Sequence, residues 1–335
     1  MRVRQVVGVA CVMSLLGQSA QAAPVVPAVD LAQAVAQVTT DSVLLSGWIN
    51  DQFRKAAAFN STAGNVVPSQ LKVLGFEVGV EAVVTASKID IDGFHRLGTT
   101  LVDTNKIDMY DRLPFPAIIG HAKIGLPFGL DAGVRVGGIP TKTQDKGTTH
   151  YEVANSIFGI DVRKKLIEEG MAKPFGLTMG LNYTHANGHI SATTPYTANT
   201  TYIAPSGQTY TPTLNATGSE RTDWKTDSVG AQVLLNKKIL FVNPYIGASA
   251  NYNTGSVDTT ITNSGTVTLT DPVLGTASQA VSAGGSASGK PVMWDLRGLL
   301  GLEFTFLPFC KLGIGGEIAN QNRFAGTIGL RIQFR

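Results

Sequence analysis

Apolar residues at every second position, opposed by glycine and charge, constrain this chain more than any other feature. Leu74, Phe76, Val78, Val80, Ala82 and Val84 alternate with Gly75, Glu77, Gly79 and Glu81. The same period of two recurs at 118–126, 130–136, 158–162, 175–184, 228–235, 246–252, 294–306, 311–318 and 324–334. Strict alternation specifies strands with two unlike faces. In a soluble sandwich the greasy face would be the inner one, and glycine would stand on water-facing strands, where it is costly. A transmembrane barrel turns the greasy rows to lipid and the glycine and ionic rows to the lumen. The expected fold is therefore all-β: a transmembrane antiparallel β-barrel of about ten strands, roughly eight to fourteen.

The links between these stretches support that fold. Pro127-Phe128-Gly129, 164–174, 237–244 and Leu307-Pro308 are short, whereas 89–115, 138–150, 189–223 and 256–290 are long. Short inner turns and long outer loops alternate in outer-membrane barrels. Pro127-Phe128, Pro174-Phe175, Pro244-Tyr245 and Pro308-Phe309 each open a strand, and their aromatics are expected in a girdle at the inner membrane boundary. The two longest links carry Thr, Ser, Asn and Gly, and Asn263-Ser264-Gly265 reads as a hairpin turn. The last strand ends at Phe334, followed by Arg335.

Export is read from the first residues. Arg2 and Arg4, the apolar run Val6 to Leu16 and Ala20-Gln21-Ala22 form a signal peptide over 1–22. No later segment has the about 18 consecutive apolar residues of a membrane helix. The bacterial outer membrane is thus the expected location. Lys+Arg 27 against Asp+Glu 24 leaves too little net charge to grip a nucleic acid. Two cysteines exclude a disulfide scaffold and a Cys-based zinc site.

Before the barrel, at 69–335, residues 23–68 form a separate unit. Leu31, Val35, Val38, Leu45, Trp48, Ile49 and Phe53 recur at helical spacing over 31–59, with Asp30 as N-cap. This helix is expected either to plug the barrel or cap its inner mouth, or else to be a loose periplasmic arm or a helix that contacts another protein. Ile119, Ile157, Leu234 and Leu299 fall on the inward phase as a greasy patch. That patch could receive the helix or a hydrophobic ligand.

Three pieces, 121–136, 158–188 and 229–252, resemble a family of uncharacterised bacterial outer-membrane β-barrel proteins. The resemblance implies location and fold and little chemistry. A more distant analogy is to FadL-like transporters of hydrophobic molecules, which also carry an N-terminal plug.

The inward faces hold Glu77, Glu81, Asp131, Asp161, Asp295, Glu303 and Glu317 against Lys123, Arg135, Arg163, Arg297, Lys311, Arg331 and His121. A selective ion pore would show rings of one sign. Balanced charge predicts a lumen laced by ion pairs, in a barrel near the size that side chains fill. His189 and Ser191 share one face of a strand, as in barrel hydrolases where His is the base and Ser the nucleophile. His95, Asp103, Asp108 and Asp111 read as a solvated loop. No metal spacing and no cofactor motif is found.

The sequence therefore favours a narrow or gated channel or transporter for small hydrophobic molecules, without enzymatic activity. The alternative is a structural or surface-interaction barrel with a filled lumen, and the third reading is a lipid hydrolase using His189 and Ser191. Expected partners are outer-membrane lipid, the barrel-assembly machinery and a small hydrophobic ligand, with no nucleic acid.

Overall fold

A computed structural model describes residues 28–64, 68, 71–99, 111–170, 173–199, 202–203, 209–210, 213–271 and 275–334. The expected signal peptide, and Asp103 and Asp108, lie outside these residues. A helix, α1 (Ala28–Thr62), precedes β1 (Phe76–Lys88), a short helix α2 (Ile91–His95), β2 (Arg112–Leu126), β3 (Leu130–Lys146), β4 (Thr149–Ile167) and β5 (Gly176–Asn199). Then come β6 (Tyr202–Ile203), β7 (Thr209–Tyr210), β8 (Thr213–Asn236), β9 (Val242–Asp271), β10 (Gly275–Gly289), β11 (Trp294–Leu307), β12 (Cys310–Ala319) and β13 (Arg323–Phe334).

The pairing order β1-β2-β3-β4-β5-β8-β9-β11-β12-β13 returns to β1 and closes an antiparallel ring of ten strands. The seam joins Phe76 to Phe334, whose rings stack at 4.7 Å. β10 pairs only with the upper half of β9, above the stretch that pairs with β11. β6 and β7 form a separate pair.

Greasy rows face outward. Val80, Ile118, Val134, Leu181, Leu296 and Ile328 are exposed, while Glu77, Glu81, Lys123, Arg163 and Arg331 on the alternate phase are buried. This is the reverse of a water-soluble body, in which charge is exposed and unbroken greasy rows are covered. Inner glycines give the ionic side chains room. A Cβ on Gly79 would stand 2.6 Å from the His121 ring and 2.8 Å from Arg331 Cγ.

Where they are described, the long links 138–150, 189–223 and 256–290 are largely strand. β5, β8 and β9 continue through 189–199, 213–223 and 256–271, so the wall rises well above the rim formed by β1, β2 and α2. Asn263-Ser264-Gly265 is not a turn: it lies within β9, paired with Gly218, Thr217 and Ala216. The β9–β10 connection follows Asp271. Leu74, read as strand, sits in a turn at φ 64°. Tyr245, expected in the girdle, is buried in the lumen with Leu234 and Leu299. Gly301 and Gly315 leave space for its hydroxyl, since a Cβ there would lie 2.3 and 2.8 Å from it.

Along β9 the apolar phase inverts. Ile246 and Tyr252 are exposed outside, whereas Val257, Ile261 and Val267 are buried inside. Below the inversion the outer face is greasy. Above it, Thr254, Ser256, Asp258 and Thr260 point outward and the inner face packs on α1.

α1 occupies that inner face and then the bore. Val38 packs with Val267, Val281 and Ala283 near the tip of the β9–β10 hairpin. Lower down, Phe59 and Ala63 sit among Val83, Ala117, Ile119, Ile157, Ala186, Ala319 and Ala325. The chain then reaches the short-turn end, where Leu74 N–H donates to Gly125 O at 2.9 Å. The helix thus enters from the long-hairpin end and runs down the lumen. It does not cap the inner mouth. No described helix is long and apolar enough to cross a membrane.

Candidate functional site

The site is the seat that holds α1 inside the ring, and it has three layers. The uppermost is an apolar collar. Leu45, Ile49, Phe53, Ala56 and Ala57 of the helix are buried against Ile89, Phe94, Leu113, Phe115, Trp224, Val257 and Ile261. Phe53 stacks on Trp224 at 6.1 Å and meets Phe115 edge-on at 5.8 Å. Trp48, half-buried at the rim, donates its indole N–H to Asp90 O at 3.0 Å.

Polar helix residues fasten this collar. Asn50, buried, donates to Val257 O at 2.7 Å and to Ala287 O at 3.1 Å. It ties α1 to two strands at once. Asn50→Ala leaves both buried carbonyls short of a donor and is expected to cost about 1–3 kcal/mol. The measurement is the thermal midpoint at which the folded, fast-migrating gel band disappears; an unchanged midpoint would mean that this bond does not hold the helix. Ser42, buried higher on the helix, accepts from Asn263 Nδ2 at 3.0 Å.

The middle layer is formed by three arginines at the end of the helix. Arg135 donates to Ser61 O at 2.7 Å and to Ala63 O at 3.2 Å. Arg297 donates to Phe59 O at 3.2 Å and to Thr62 Oγ1, and Arg323 to Lys55 O at 3.2 Å. The last carbonyls of a helix have no internal partners and carry about half a negative charge, so Arg135 at Ser61 O and Arg297 at Phe59 O satisfy both needs, while Arg323 grips the helix about two turns earlier. Arg297 and Arg323 also lie 4.4 and 5.4 Å from the centre of the Phe59 ring. Acids hold the arginines in turn. Arg297 bonds Asp295 and reaches Glu317 at 2.7 Å, Arg323 lies 3.1 Å from Asp295, and Glu317 accepts from Gly64 N–H at 2.7 Å.

The lowest layer is an ionic lattice. Glu77 lies 3.4 Å from His121, 3.7 Å from Lys123 and 3.6 Å from Arg331. Glu303 bonds Arg331 and lies 2.9 Å from Lys311, and Asp161 lies 2.9 Å from Arg163. His121 also reaches Glu81 at 3.6 Å, and Asp131 pairs in register with Arg163. Between this lattice and the helix end is a cavity of about 30 Å³, room for only one or two waters.

All the ionic residues expected on the inner wall are buried there. The helix residues Val38, Leu45, Ile49 and Phe53 are buried, and Val35 and Trp48 half-buried, while the side chain of Leu31 lies outside the described residues. The greasy patch divides: Ile119 and Ile157 surround Phe59, whereas Leu234 and Leu299 pack on Tyr245. Arg323 was missed, although it shares the inward phase of Arg331 on β13. Trp224, Val257 and Ile261 were missed too, and the phase inversion along β9 is the signal that would have found them.

The histidine and serine lie elsewhere. His189 and Ser191 stand on the outward face of β5, above the greasy rows, where His189 Nε2 contacts Glu152 Oε1 at 2.6 Å. Among the described residues no hydrogen bond joins His189 to Ser191. Gly188 does not break the strand. A neighbouring His185–Asp227 pair stands at 2.8 Å. Among the described residues no group of His, Cys, Asp and Glu could hold a metal ion.

The model of a family of unknown function, DUF6588, matches residues 109–334. No curated protein matches the sequence. Several solved structures are similar at low identity. The transport unit of the autotransporter AIDA-I from Escherichia coli matches at 11% identity over 86% of this chain and 99% of that one, with a TM-score of 0.37. The translocator domain of the autotransporter NalP from Neisseria meningitidis matches at 9% over 92% and 100%, with a TM-score of 0.29. A Pseudomonas aeruginosa FadL homologue matches at 10% over 86% and 97%, with a TM-score of 0.27.

Proposed function

Because the chain belongs to DUF6588, a family of unknown function, its role must be read from this barrel, and we propose an outer-membrane barrel kept shut by its own N-terminal helix. Its filled lumen anchors a tall sheet-and-helix platform above the outer leaflet, where it serves surface interaction. The membrane assignment rests on the outward greasy rows and their aromatic borders. Phe76, Phe128, Phe175, Phe309 and Phe334 are exposed at the short-turn edge, and Tyr252 and Trp294 at the upper edge. Along β11, Trp294 and Phe306 bracket a greasy stretch close to the about ten residues a tilted strand needs to cross.

The observation that carries the closed state is the triple-arginine seat beneath the apolar collar. Together with the ionic lattice below, it fills the bore of a narrow ring with buried side chains. In planar bilayers the full chain is expected to give no steady conductance, and steady unitary steps would overturn the closed reading. A gated route for small hydrophobic molecules is the second reading. It is favoured by the apolar lining of Phe115, Ile119, Trp224 and Val257 that α1 now covers. Deleting residues 28–64 separates the two. Uptake of an apolar dye by the deleted barrel supports a gate, and continued impermeability supports a purely structural plug.

A further inference from the structure

Lysines gather on one side of the short-turn end. On β4 the outward row Phe158, Ile160 and Val162 continues on the same phase into Lys164, and on β8 Val229, Val233 and Leu235 continue into Lys237; all are exposed. The β4–β5 and β8–β9 turns touch, since Lys238 N–H donates to Glu169 Oε2 at 2.8 Å. Lys165 reaches Glu168 at 3.4 Å, whereas among the described residues Lys164, Lys173, Lys237 and Lys238 have no ion-pair partner. The other short turns, 127–129 and 307–309, contain no charged residue. Positive charge is thus concentrated where β4, β5, β8 and β9 leave the lipid-facing zone.

The same turns present greasy side chains. Ile239 and Val242 exchange backbone hydrogen bonds of 2.7 and 2.9 Å, which closes a tight turn around Leu240 and Phe241. Leu240 has φ 55°, in the left-handed region that glycine enters freely and leucine does not. Its side chain is 83% exposed, and Leu166, Phe175, Ile239 and Phe241 at the two turns are exposed too. In water this turn is penalised twice, for backbone strain and for bare apolar surface, and glycine with a polar residue would avoid both. The second penalty disappears where Leu240 and Phe241 dip among acyl chains. Phe128 repeats the choice in the β2–β3 turn, at φ 64°.

On the outer-membrane reading given above, we infer that the β4–β5 and β8–β9 turns form a docking surface for an anionic phospholipid of the inner leaflet. The surface continues the greasy wall: Lys164 and Lys237 end two of its rows on the outward phase. Their methylene stems extend those rows, and their ammonium groups meet the headgroup phosphate. Leu240 and Phe241 anchor the turn at the depth where acyl chains begin. An acidic protein surface would match the lysines but would leave Ile239, Leu240 and Phe241, which follow them directly, without an apolar partner. The surface gives the molecule a preferred lipid at the end opposite the raised platform, and it does not depend on conduction.

The test uses the full chain in phosphatidylcholine nanodiscs with a trace of phosphatidylglycerol carrying a diazirine beside its headgroup. The matching phosphatidylcholine probe is the reference, and labelled residues are mapped by mass spectrometry. The anionic probe is expected to label 164–175 and 237–242 about fivefold more than the neutral one, as one effective cation at a membrane surface provides. High salt should shrink that ratio. Lys164→Gln, Lys165→Gln, Lys237→Gln and Lys238→Gln combined should bring it to about one. Lys142→Gln with Lys146→Gln, on the β3–β4 hairpin, should leave it unchanged. Equal labelling by the two probes in wild type, which would leave the lysines to an acidic protein, overturns the assignment, as does a preference that survives the four glutamines. A diazirine moved to the acyl chain reports separately on the membrane reading: absence of its labels from Val134, Leu181 and Leu296 would sink that reading itself.

Discussion

Replacing Arg297 by alanine is expected to lower stability by about 3–5 kcal/mol, the cost of stripping one partner from a buried ionic group. The side chain sits among Asp295, Glu317, Thr62 and Phe59 O. It is 4% exposed, and the two acids are 0% and 2% exposed. Without the guanidinium, two carboxylates remain in a buried layer with only Arg323 close to Asp295. The helix end loses a donor at the same time. The folded gel band should therefore disappear at a much lower temperature, and amides of residues 50–62 should exchange faster. Arg221→Ala is the control. Arg221 bonds Asp223 on the water-facing side at 2.7 and 2.8 Å, with both side chains close to half exposed, where such a pair contributes roughly 0–1 kcal/mol. If the two variants melt alike, the arginine seat is not what retains the helix.

The second large effect is a pH dependence centred on Glu220. This residue lies on the inner face of the raised part of β8, in register with Ala192 and Ile261. It is buried, with one hydrogen bond, from Thr222 Oγ1 at 3.0 Å. Burial pushes its carboxyl up from 4.5 to about 7, against the opposing hydrogen bond from Thr222. The packed state thus holds this proton more tightly than the opened state. Below about pH 4.5 both states are protonated and the group is neutral in the balance. As pH rises from there through 7 the packed state loses ground, and above 7 the full difference of about 3 kcal/mol applies. Wild type should melt lower at pH 8 than at pH 5. Glu220→Gln should be the more stable protein at pH 8 and show a smaller change between the two. A variant with the same pH slope as wild type would remove Glu220 from the account.

The greasy rows were readable because lipid outside and charge inside make the two faces of a strand as unlike as they can be. Val78 against Gly79, or Leu296 against Arg297, needs no structure to be assigned. The raised wall was not readable by the same rule. Above the membrane level water bathes the outer face, and small residues suit an inner face crossed by a helix, so Thr, Ser, Ala and Gly occupy both phases and the contrast fades. Only sparse residues such as Trp224, Val257 and Ile261 mark the inner side there, and they stand on the opposite phase from Ile246 and Tyr252. The direction of α1 was hidden for another reason. Its stripe of Val38, Leu45, Ile49 and Phe53 reports that a face is covered, but not which end of the cylinder it enters. That depends on Arg135, Arg297 and Arg323, which lie far apart in sequence and meet only when the ring closes. Tyr245 shows the cost of a one-residue slip: beside Pro244 it resembled a border aromatic, yet it stands on the lumen phase.

The seam between Phe76 and Phe334 has a bearing on how such a molecule comes into being. Ribosomes make α1 first and β13 last, and β13 is the partner that completes β1. Once that joint is made, the helix lies inside a complete ring, with Phe53 and Phe59 buried. The joint that completes the sheet is thus also the one that encloses the helix.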